Sequence, residues 1–471
     1  MQRRLWLAVG VAVVAAGCAG PRTATSVLQD AQKALGAAST IQYSGTGMSA
    51  FVGQALNAGE AWPARELSGF TETINFDQKS AHAELNFAQP TFGGQQQNTE
   101  VNGDKAWNVG PNGPVAQLAA AEARQLLIWL TPQGFVKAGL AATDATMSGT
   151  ETAPVISFTT MGKYKLVGTL DGQNMVTKIE TKRPDSVLGD AEVVATFADY
   201  KDYGGVKFPG KIAISEGGFP SWEFNVTKVT PNAPADLPVP DAVKSATIPP
   251  VQVVSTKMAD GVWHLGGGSH HSVVVEFKDY IAIVEAPLSE ERSLAVLAEA
   301  KKLVPNKPVK YLLTTHHHFD HTGGLRTYAA EGVTIVTNQP NVAYFEKTLM
   351  APATMAPDAQ AKAMKKPEFQ PVSDKYVLTD GKQTIEMYPT AGDTHTKEYM
   401  FIYLPGPKIL VEADAFSPGP ADAPPPATPA PNAVTLYDEI QRLKLNVATI
   451  APIHGRGPVP MAELAKAIGK K

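Results

Sequence analysis

The feature that most constrains this chain is a run of metal-binding side chains directly after an apolar, β-branched segment, 309–315, which predicts a buried strand. Residues 314–321 read Thr-Thr-His-His-His-Phe-Asp-His, and a helix-compatible segment, 325–330, follows them. Open α/β folds place their sites in loops at the carboxyl ends of strands. Imidazole and carboxylate groups are the ligands expected for zinc and similar divalent ions. The sequence therefore predicts a metal site in this loop.

The spacing within the run divides its ligands between two ions. In an extended loop, residues two apart point the same way, so His316 and His318 are predicted to bind one ion, while Asp320 and His321 fall beside a second. The alternative is a solvated histidine cluster that binds metal adventitiously. The distribution of histidines argues against that alternative, because the chain has ten and only His82 precedes residue 264.

The run resembles the metal-binding motif of the metallo-β-lactamase superfamily, and the resemblance covers about residues 251–471. Three later positions match the family's remaining ligands: His395 in segment 391–396, Asp414 in segment 410–415 and His454 in segment 451–455. The resemblance implies one ion on His316, His318 and His395, a second on Asp320, His321 and His454, and Asp414 bridging both. The order and spacing are similar to those of the glyoxalase II-like branch.

Two positions depart from the family pattern. Two residues separate His395 from Gly392, whereas many relatives have the histidine directly after the glycine. Asp393, one of the two, is therefore a candidate residue for supporting the His395 ligand without binding the ion itself. Glu412 lies two residues before Asp414 and can face the same side of its strand. Asp414 is preferred, because a short carboxylate at a strand end suits a fixed bridge.

The resemblance implies a hydrolase that needs two divalent metal ions, which are expected to be zinc. Such a pair of ions, about 3.5–4 Å apart, lowers the pKa of a bound water toward roughly 7, and the resulting hydroxide attacks a carbonyl. The substrate class is an ester, thioester, lactone or lactam. Asp320 and Asp414 are the predicted catalytic residues; they hold the ions, and Asp320 also orients the nucleophile.

Two further residues are predicted to contact substrate. His271 lies in a glycine-rich turn between early strands, for which the alternative is a simple surface turn. Arg456 follows the last ligand and can bind an anionic group, for which the alternative is a structural ion pair.

Two other functions stay open. One is a mononuclear iron oxidoreductase, similar to persulfide dioxygenases, that uses the first site alone. The other is an apolar-ligand carrier that acts through the N-terminal part of the chain. We expect a small-molecule substrate and no nucleic-acid partner, because a net charge of -4 and a pI of about 6.2 give no basic footprint. The oligomeric state is left open.

Residues 1–20 predict an export signal. Arg3 and Arg4 form a basic start, and residues 5–16 form an apolar stretch too short to span a bilayer comfortably. The stretch ends near Cys18, the only cysteine, in a context that resembles a bacterial lipobox. We therefore expect a periplasmic or membrane-anchored lipoprotein, lipidated at Cys18, in which the lipid is the only membrane contact. Ordinary cleavage beyond Cys18 is the alternative.

A length of 471 residues predicts two or three domains. Many short alternating segments with glycine turns in residues 21–229 indicate an α+β domain with a curved antiparallel sheet. Residues 230–250 are proline-rich and indicate a semi-extended linker. Residues 251–471 alternate strand and helix, which indicates an α/β domain, and the resemblance implies an αβ/βα sandwich.

Five segments carry more specific structural predictions. Helices are expected at 26–35, with Ser26 as N-cap, and at 115–130, running on toward residue 142. Another is expected at 289–303, with Ser289 as N-cap, acidic residues in its first turn and lysines in its last. A methionine-bearing helix within 341–372 and the stiff loop Pro418–Pro431, with its seven prolines, are the predicted walls of the site.

Overall fold

The structure is a computed structural model that describes residues 22–90 and 94–470. The predicted signal segment and Cys18 lie outside these residues, so export and lipidation stay predictions. Within the described ranges, no helix combines the length and the apolar character needed to cross a bilayer.

Antiparallel pairing dominates the N-terminal half of the chain. Its strands are β1 (Thr40–Ala50), β2 (Ala64–Asn75), β3 (Ser80–Phe87), β4 (Gln96–Asn102), β5 (Lys105–Gly110), β6 (Gly113–Ala116), β7 (Thr146–Thr150), β8 (Ala153–Thr160), β9 (Tyr164–Leu170), β10 (Val176–Asp185), β11 (Gly189–Ala198), β12 (Lys201–Asp202), β13 (Lys207–Phe208), β14 (Lys211–Glu216) and β15 (Phe219–Pro231). Apart from the β12–β13 hairpin, they form one sheet in the order β6-β5-β4-β3-β2-β1-β15-β14-β11-β10-β9-β8-β7. The predicted antiparallel sheet is therefore confirmed.

The apolar face of this sheet packs against three helices, α1 (Ala24–Leu35), α2 (Ala121–Trp129) and α3 (Pro132–Ala141). Strand β1 joins the two ends of the domain sequence, because it pairs with β2 on one side and with β15 on the other, where Tyr43 lies opposite Val229. Fully buried side chains fill the space between helices and sheet, among them Leu28, Phe135 and Phe158.

Two helix predictions need correction. Helix α1 begins before Ser26: Thr23 is the N-cap and accepts a hydrogen bond from the Ser26 amide, while the Ser26 hydroxyl accepts one from the Thr23 amide. The helix expected at 115–130, running on toward residue 142, is present only in part, because α2 starts at Ala121 and does not continue into α3. Residues 113–116 pair with β5 as a strand, and Thr131 ends one helix and caps the next, whose first residue is Pro132.

The proline-rich segment after β15 stays close to the N-terminal sheet. It contains one short helix, α4 (Asp241–Lys244), whose Val243 is fully buried. The side-chain amide of Asn102 in β4 donates to the carbonyl of Leu237 at 2.8 Å. Strand β15 takes the first two residues of the predicted linker 230–250, and the rest of the segment is hydrogen-bonded to the sheet.

The C-terminal half contains two mixed sheets. The first has the order β16 (Val254–Ala259), β17 (Val262–Gly266), β18 (Ser272–Glu276), β19 (Ile281–Val284), β20 (Val309–Leu313), β21 (Thr334–Asn338) and β22 (Glu368–Val372). The second has the order β23 (Tyr376–Thr379), β24 (Thr384–Pro389), β25 (Met400–Leu404), β26 (Ile409–Glu412), β27 (Thr449–Pro452) and β28 (Val459–Pro460). Strands β19 to β22 run parallel, as do β26 and β27, and the other pairs are antiparallel.

Helices connect or follow the strands of both sheets. They are α5 (Glu290–Leu303), α6 (Phe319–Thr322), α7 (Leu325–Glu331), α8 (Asn341–Leu349), α9 (Ala359–Ala363), α10 (Pro431–Arg442) and α11 (Met461–Ala467). The core between the sheets joins Val284 and Leu313 of the first to Phe401 and Leu410 of the second. The predicted αβ/βα sandwich is confirmed, and so is the start of α5, where the Ser289 hydroxyl accepts from the Arg292 amide.

The methionine-bearing helix expected within 341–372 is wrong. The segment forms the two short helices α8 and α9 and then strand β22, because Pro352 and Pro357 interrupt a continuous helix. Met350 and Met364 follow these helices and are exposed, while Met355 packs against the N-terminal core.

The close packing of α3 on the N-terminal sheet makes Gly168 sensitive to enlargement. A Cβ atom at this position would lie 2.1 Å from Cζ of Phe135, which is fully buried. We predict that Gly168→Ala lowers the free energy of unfolding by about 1–3 kcal/mol, because overpacked cores must shift side chains or backbone. Denaturant unfolding measures this. Gly110→Ala, in a strand with no atom within 4 Å of the new Cβ, is the control and should change little.

Candidate metal centre

The ends of four strands bring the predicted ligands together. The loop 316–321 follows β20, His395 lies between β24 and β25, Asp414 follows β26, and His454 follows β27. Strands β20 and β27 each run parallel to a neighbour, so their carboxyl ends lie on the same edge as those of β19 and β26. This topology makes residues more than a hundred positions apart in the chain converge at one edge of the sandwich.

The first three predicted ligands form a close group. One donor atom from each of His316, His318 and His395 lies within 4.8 Å of the others. The ring centroids of His316 and His318 are 4.5 Å apart, and those of His318 and His395 are 4.4 Å apart. Both His316 and His318 are almost completely buried. Three imidazoles at this spacing fit one divalent ion.

The other three ligands form a second group, which also contains the residue next to the predicted substrate contact His271. Donor atoms of His270, Asp320, His321 and His454 lie within 4.8 Å of one another. The Nε2 atoms of His321 and His454 are 2.9 Å apart, and Nε2 of His270 is 3.0 Å from Oδ2 of Asp320. A β-bridge pairs His270 with His454. The second group therefore offers four donors.

The Asp414 carboxylate lies between the two groups. Its Oδ2 atom is 3.2 Å from Nε2 of His316 and 2.9 Å from Nε2 of His321, and its Oδ1 atom is 3.0 Å from Nε2 of His454. A single carboxylate thus contacts imidazoles of both groups, which is the position that a bridging ligand requires.

The donor atoms of both groups have the chemistry of a metal site. Several buried polar atoms in this region have no hydrogen-bond partner: Nε2 of His316, Nδ1 of His318, Nε2 of His395 and Oδ2 of Asp414. Buried polar groups normally have hydrogen-bond partners. These four atoms lie close together in space and therefore need another partner. Nitrogen and oxygen atoms in this arrangement fit divalent cations such as zinc.

Electrostatics keep three of these ligands in the form that binds metal. Burial lowers the pKa of His318 to about 3 and that of His316 well below its usual value, so both imidazoles are neutral at pH 7. Burial opposes ionisation of Asp414, yet His321 and His316 hold the pKa of its carboxyl well below the usual range. Neutral histidines and ionised carboxylates are the metal-binding forms.

A buried glutamate orients His321. The Oε2 atom of Glu285 is 2.6 Å from Nδ1 of His321, and its Oε1 atom accepts a hydrogen bond from the Thr315 amide. Bonding at Nδ1 directs Nε2 of His321 toward Asp414 and His454. Glu285 has a φ of 70°, a left-handed conformation that is costly for a residue with a side chain, so the surrounding structure must impose it. No sequence motif marked this residue.

A buried tyrosine positions Asp414. The hydroxyl oxygen of Tyr399 accepts hydrogen bonds from the amides of Ala413, Asp414 and Ala415 at 2.8, 3.2 and 3.4 Å. Glu412, the alternative bridge, turns away and accepts a hydrogen bond from the Phe416 amide. The geometry therefore favours Asp414 over Glu412.

Asp393 supports the His395 turn, as the departure from the family pattern suggested. Its Oδ1 atom accepts hydrogen bonds from the amides of His395 at 2.7 Å and Thr396 at 3.3 Å. Asp393 therefore fixes the backbone that carries the ligand, and His395 itself is the residue whose ring lies among the other histidines.

The two predicted substrate residues have protein partners. Nε2 of His271 lies 2.9 Å from the carbonyl of Gly455, so this ring supports the segment that carries His454. Arg456 pairs with Glu463 at 2.5 Å and donates to the Gly419 carbonyl at 3.1 Å. The neighbour of His271, His270, is the residue that reaches the metal-binding groups.

A cleft borders the centre on the side of Asp414. It has a volume of about 550 Å³ and is lined largely by alanine and proline residues of the loop Pro418–Pro431 together with Phe416 and Lys466. The prediction that this loop rims the site agrees with its place beside Asp414.

We predict that Tyr399→Phe destabilises the protein and disturbs Asp414. Loss of the hydroxyl leaves buried amides without an acceptor, which costs about 1–3 kcal/mol. Denaturant unfolding measures the loss. Tyr403→Phe is the matched control, because that hydroxyl donates to a single carbonyl, that of Asn446. Equal stability of the two variants would contradict the role given to Tyr399.

The pH dependence of stability should reflect His264, a buried residue of β17. Burial, with smaller contributions from His271 and Arg292, lowers the pKa of His264 to about 4. The unfolded chain takes up a proton near pH 6.5, whereas the folded chain does so only near pH 4. Folding stability should therefore fall as the pH drops from about 6.5 to 4. Urea unfolding across this range should show a shallower decline for His264→Gln than for the wild type.

Comparison with known proteins agrees with this geometry. A family model for the metallo-beta-lactamase superfamily matches residues 265–454. A metallo-beta-lactamase from Pontibacter korlensis is 21% identical, with 46% of this chain and 98% of that chain covered and a TM-score of 0.35. The DIM-1 metallo-beta-lactamase is 17% identical, with 46% and 96% covered and a TM-score of 0.35. TMB-1 is 16% identical, with 47% and 96% covered and a TM-score of 0.34.

A search of curated proteins finds no match to this chain. The assignment therefore rests on the family model and on the arrangement of the two sheets and their ligands. The superfamily supports a metal-dependent hydrolase in general. Residues 265–454 of this chain form a metallo-beta-lactamase superfamily domain.

Proposed function

We propose that this protein is a dinuclear zinc hydrolase that acts on an ester, thioester, lactone or lactam. The observation that carries the proposal is the pair of ligand groups joined by Asp414, with buried donor atoms that no other protein group satisfies. The proposed ligands are His316, His318 and His395 for one ion, Asp320, His321 and His454 for the other, and Asp414 between them.

Two divalent ions held there would supply Lewis-acid polarisation of a carbonyl and activation of a water molecule near neutral pH. The ligand set suits that chemistry, because the two carboxylates, as the only anionic ligands of the set, neutralise only part of the charge of two divalent ions. The unneutralised charge favours an electron-rich oxygen at the centre.

Asp320 is the proposed orienting carboxylate. Its Oδ2 atom is 3.0 Å from Nε2 of His270, and it lies 3.6 Å from Nε2 of His321. Although burial opposes ionisation, the hydrogen bond from His270 and the charge of His321 lower the pKa of the Asp320 carboxyl. The ionised carboxylate can therefore bind an ion and accept a hydrogen bond from a water molecule.

The cleft beside Asp414 supports a substrate with an apolar part. Its wall of alanine and proline side chains offers little hydrogen bonding, and Asp414, Glu463 and Lys466 are its charged members. Binding energy there would come from burial of apolar surface. An acyl chain or an apolar leaving group fits this chemistry better than a phosphodiester.

The alternatives receive less support. An iron oxidoreductase that uses only the first site leaves the second group of four donors without a role. A carrier function needs an open apolar interior in the N-terminal domain, where α1 and α3 instead cover the sheet with buried side chains such as Leu28 and Phe135.

We predict that His318→Ala removes metal and hydrolysis together. Elemental analysis of the wild type should give two zinc ions per chain, and the variant should lose at least one, with kcat/KM on the best substrate falling more than about 100-fold. The substrate screen covers thioesters, lactones, β-lactams and phosphodiesters. One iron per chain in the wild type would contradict the proposal.

The matched control is His82→Ala. This histidine lies in the N-terminal sheet, where it pairs with Glu84 and Glu100 at 3.1 and 3.0 Å. Its loss should leave the metal content and kcat/KM unchanged, which separates a specific ligand effect from a general effect of removing an imidazole.

A further inference from the structure

We propose that the loop 51–63, which joins β1 to β2 in the N-terminal sheet, is an integral part of the metal centre, and that Gln54 is a positioning residue for the ligand Asp320. The inference rests on the proposed function, because it concerns the same site. In this proposal the N-terminal domain holds ligands of the C-terminal domain in their binding geometry.

The contact between Gln54 and Asp320 is direct. The side-chain amide of Gln54 donates to Oδ1 of Asp320 at 2.7 Å, while Oδ2 of the same carboxylate faces His270 at 3.0 Å. The two oxygens therefore have different partners, and the amide fixes the rotation of the carboxylate. A carboxylate with one oxygen held in this way presents the other to the second ligand group.

The backbone of the same loop supports the first ligand group. The carbonyl of Ala55 is 3.0 Å from Nε2 of His317 and 3.0 Å from Nε2 of His318. A hydrogen bond from Nε2–H of His318 to this carbonyl fixes the neutral tautomer whose lone pair is on Nδ1. Nδ1 of His318 is one of the buried atoms without a hydrogen-bond partner, so the tautomer that the loop selects exposes the proposed ligand atom.

Further backbone contacts extend along both ligand segments. The Phe319 amide donates to the Gly53 carbonyl at 3.3 Å, and the Lys397 amide, two residues beyond His395, donates to the Leu56 carbonyl at 3.0 Å. The loop thus bonds to the 316–321 segment and to the turn that carries the third histidine. These are contacts to ligand-bearing backbone, not to the outer surface of the domain.

Shape complementarity fixes the loop against the site. Gly53 has a φ of 79°, and a Cβ atom there would lie 2.4 Å from Cγ of Phe319. Only glycine allows this approach. On the other side, the ring of Trp62 meets that of Phe319 edge-on at 6.0 Å and packs against Phe219 at 5.5 Å. Phe319 is therefore held between Gly53 and Trp62 of the same loop, and Trp62 packs in turn against β15.

A second docking point keeps the two domains in register. The amide of Asp190, at the start of β11, donates to the Pro352 carbonyl at 2.6 Å, and the Asp190 carboxylate accepts from the amides of Thr354 and Met355. This contact lies outside the ligand-bearing segments. Two separate contact regions resist rotation of one domain against the other, so the loop 51–63 keeps its place at the centre.

The test compares full-length wild type with Gln54→Met, which keeps the length of the side chain and removes its donor, and with Gln54→Glu as a second variant. Each protein is loaded with zinc and dialysed against a graded series of chelator concentrations, and the zinc retained is measured. Cobalt(II) replaces zinc in parallel samples, and the visible d–d bands report ligand geometry. Asn57→Ala is the control, since the Asn57 amide bonds to Glu60 within the same loop.

We expect Gln54→Met to release one of its two zinc ions at about 10- to 100-fold lower chelator concentration than the wild type, because partners of metal ligands commonly tune affinity by that factor. The cobalt bands should shift in the same variant. Asn57→Ala should follow the wild type in both measurements. Gln54→Glu should also lose zinc more easily, because a carboxylate replaces the amide donor next to Asp320.

Different outcomes of this test overturn the proposed function and the role of Gln54. A wild type that takes up no zinc or cobalt overturns the proposed function and this inference with it. A wild type that binds two ions while Gln54→Met gives the same chelator curve and the same cobalt spectrum overturns the inference alone. A loss of zinc of equal size in Asn57→Ala assigns the effect to general loosening of the loop and likewise overturns the role of Gln54.

Discussion

The arrangement depends on one crowded carboxylate. Asp414 lies within 3.3 Å of the Nε2 atoms of His316, His321 and His395 through a single oxygen, Oδ2. Imidazoles at such spacing gain little from one another, and their burial has a cost unless each polar atom finds a partner. A carboxylate at the centre, together with cations, resolves that cost. Three features keep this cluster assembled: the strand ends, the Tyr399 hydroxyl and the Glu285 carboxylate.

The structure brings together the residues that the sequence predicted as ligands, and the sequence could single them out because their types and order are local information. His316 and the residues after it follow a recognisable strand, and His395, Asp414 and His454 each follow another. Strand and helix positions in the C-terminal half were also readable, since buried parallel strands are nearly continuous apolar runs. Errors occurred where two local signals were both compatible with the sequence. Thr23 and Ser26 are both residue types that cap helices, and the start of α1 was assigned to the wrong one. The helical pattern continues across Thr131, where the structure instead begins a new helix.

The residues that support the ligands could not be predicted from the sequence, for a different reason. Glu285, Tyr399 and Gln54 are ordinary residue types with no motif around them, and each acts on a ligand that is distant in the chain; Gln54 and Asp320 are 266 positions apart. His270 was visible only as one of two adjacent histidines, and the choice between them depends on the pairing of His270 with His454. Such roles follow from tertiary contacts, which periodicity and spacing do not encode.

The contact between the two domains also has a thermodynamic consequence. The loop 51–63 contacts the proposed ligands Asp320 and His318 through Gln54 and Ala55. The side-chain positions that favour cation binding are therefore the same positions that favour docking of the N-terminal sheet. Linkage is reciprocal: if docking strengthens metal binding by some factor, metal binding strengthens docking by the same factor. Part of the free energy of metal binding is therefore stored as order between the domains. In this proposal the N-terminal sheet acts as an internal scaffold for the candidate metal centre, and its loop 51–63 fixes that centre through direct contacts to Asp320 and His318.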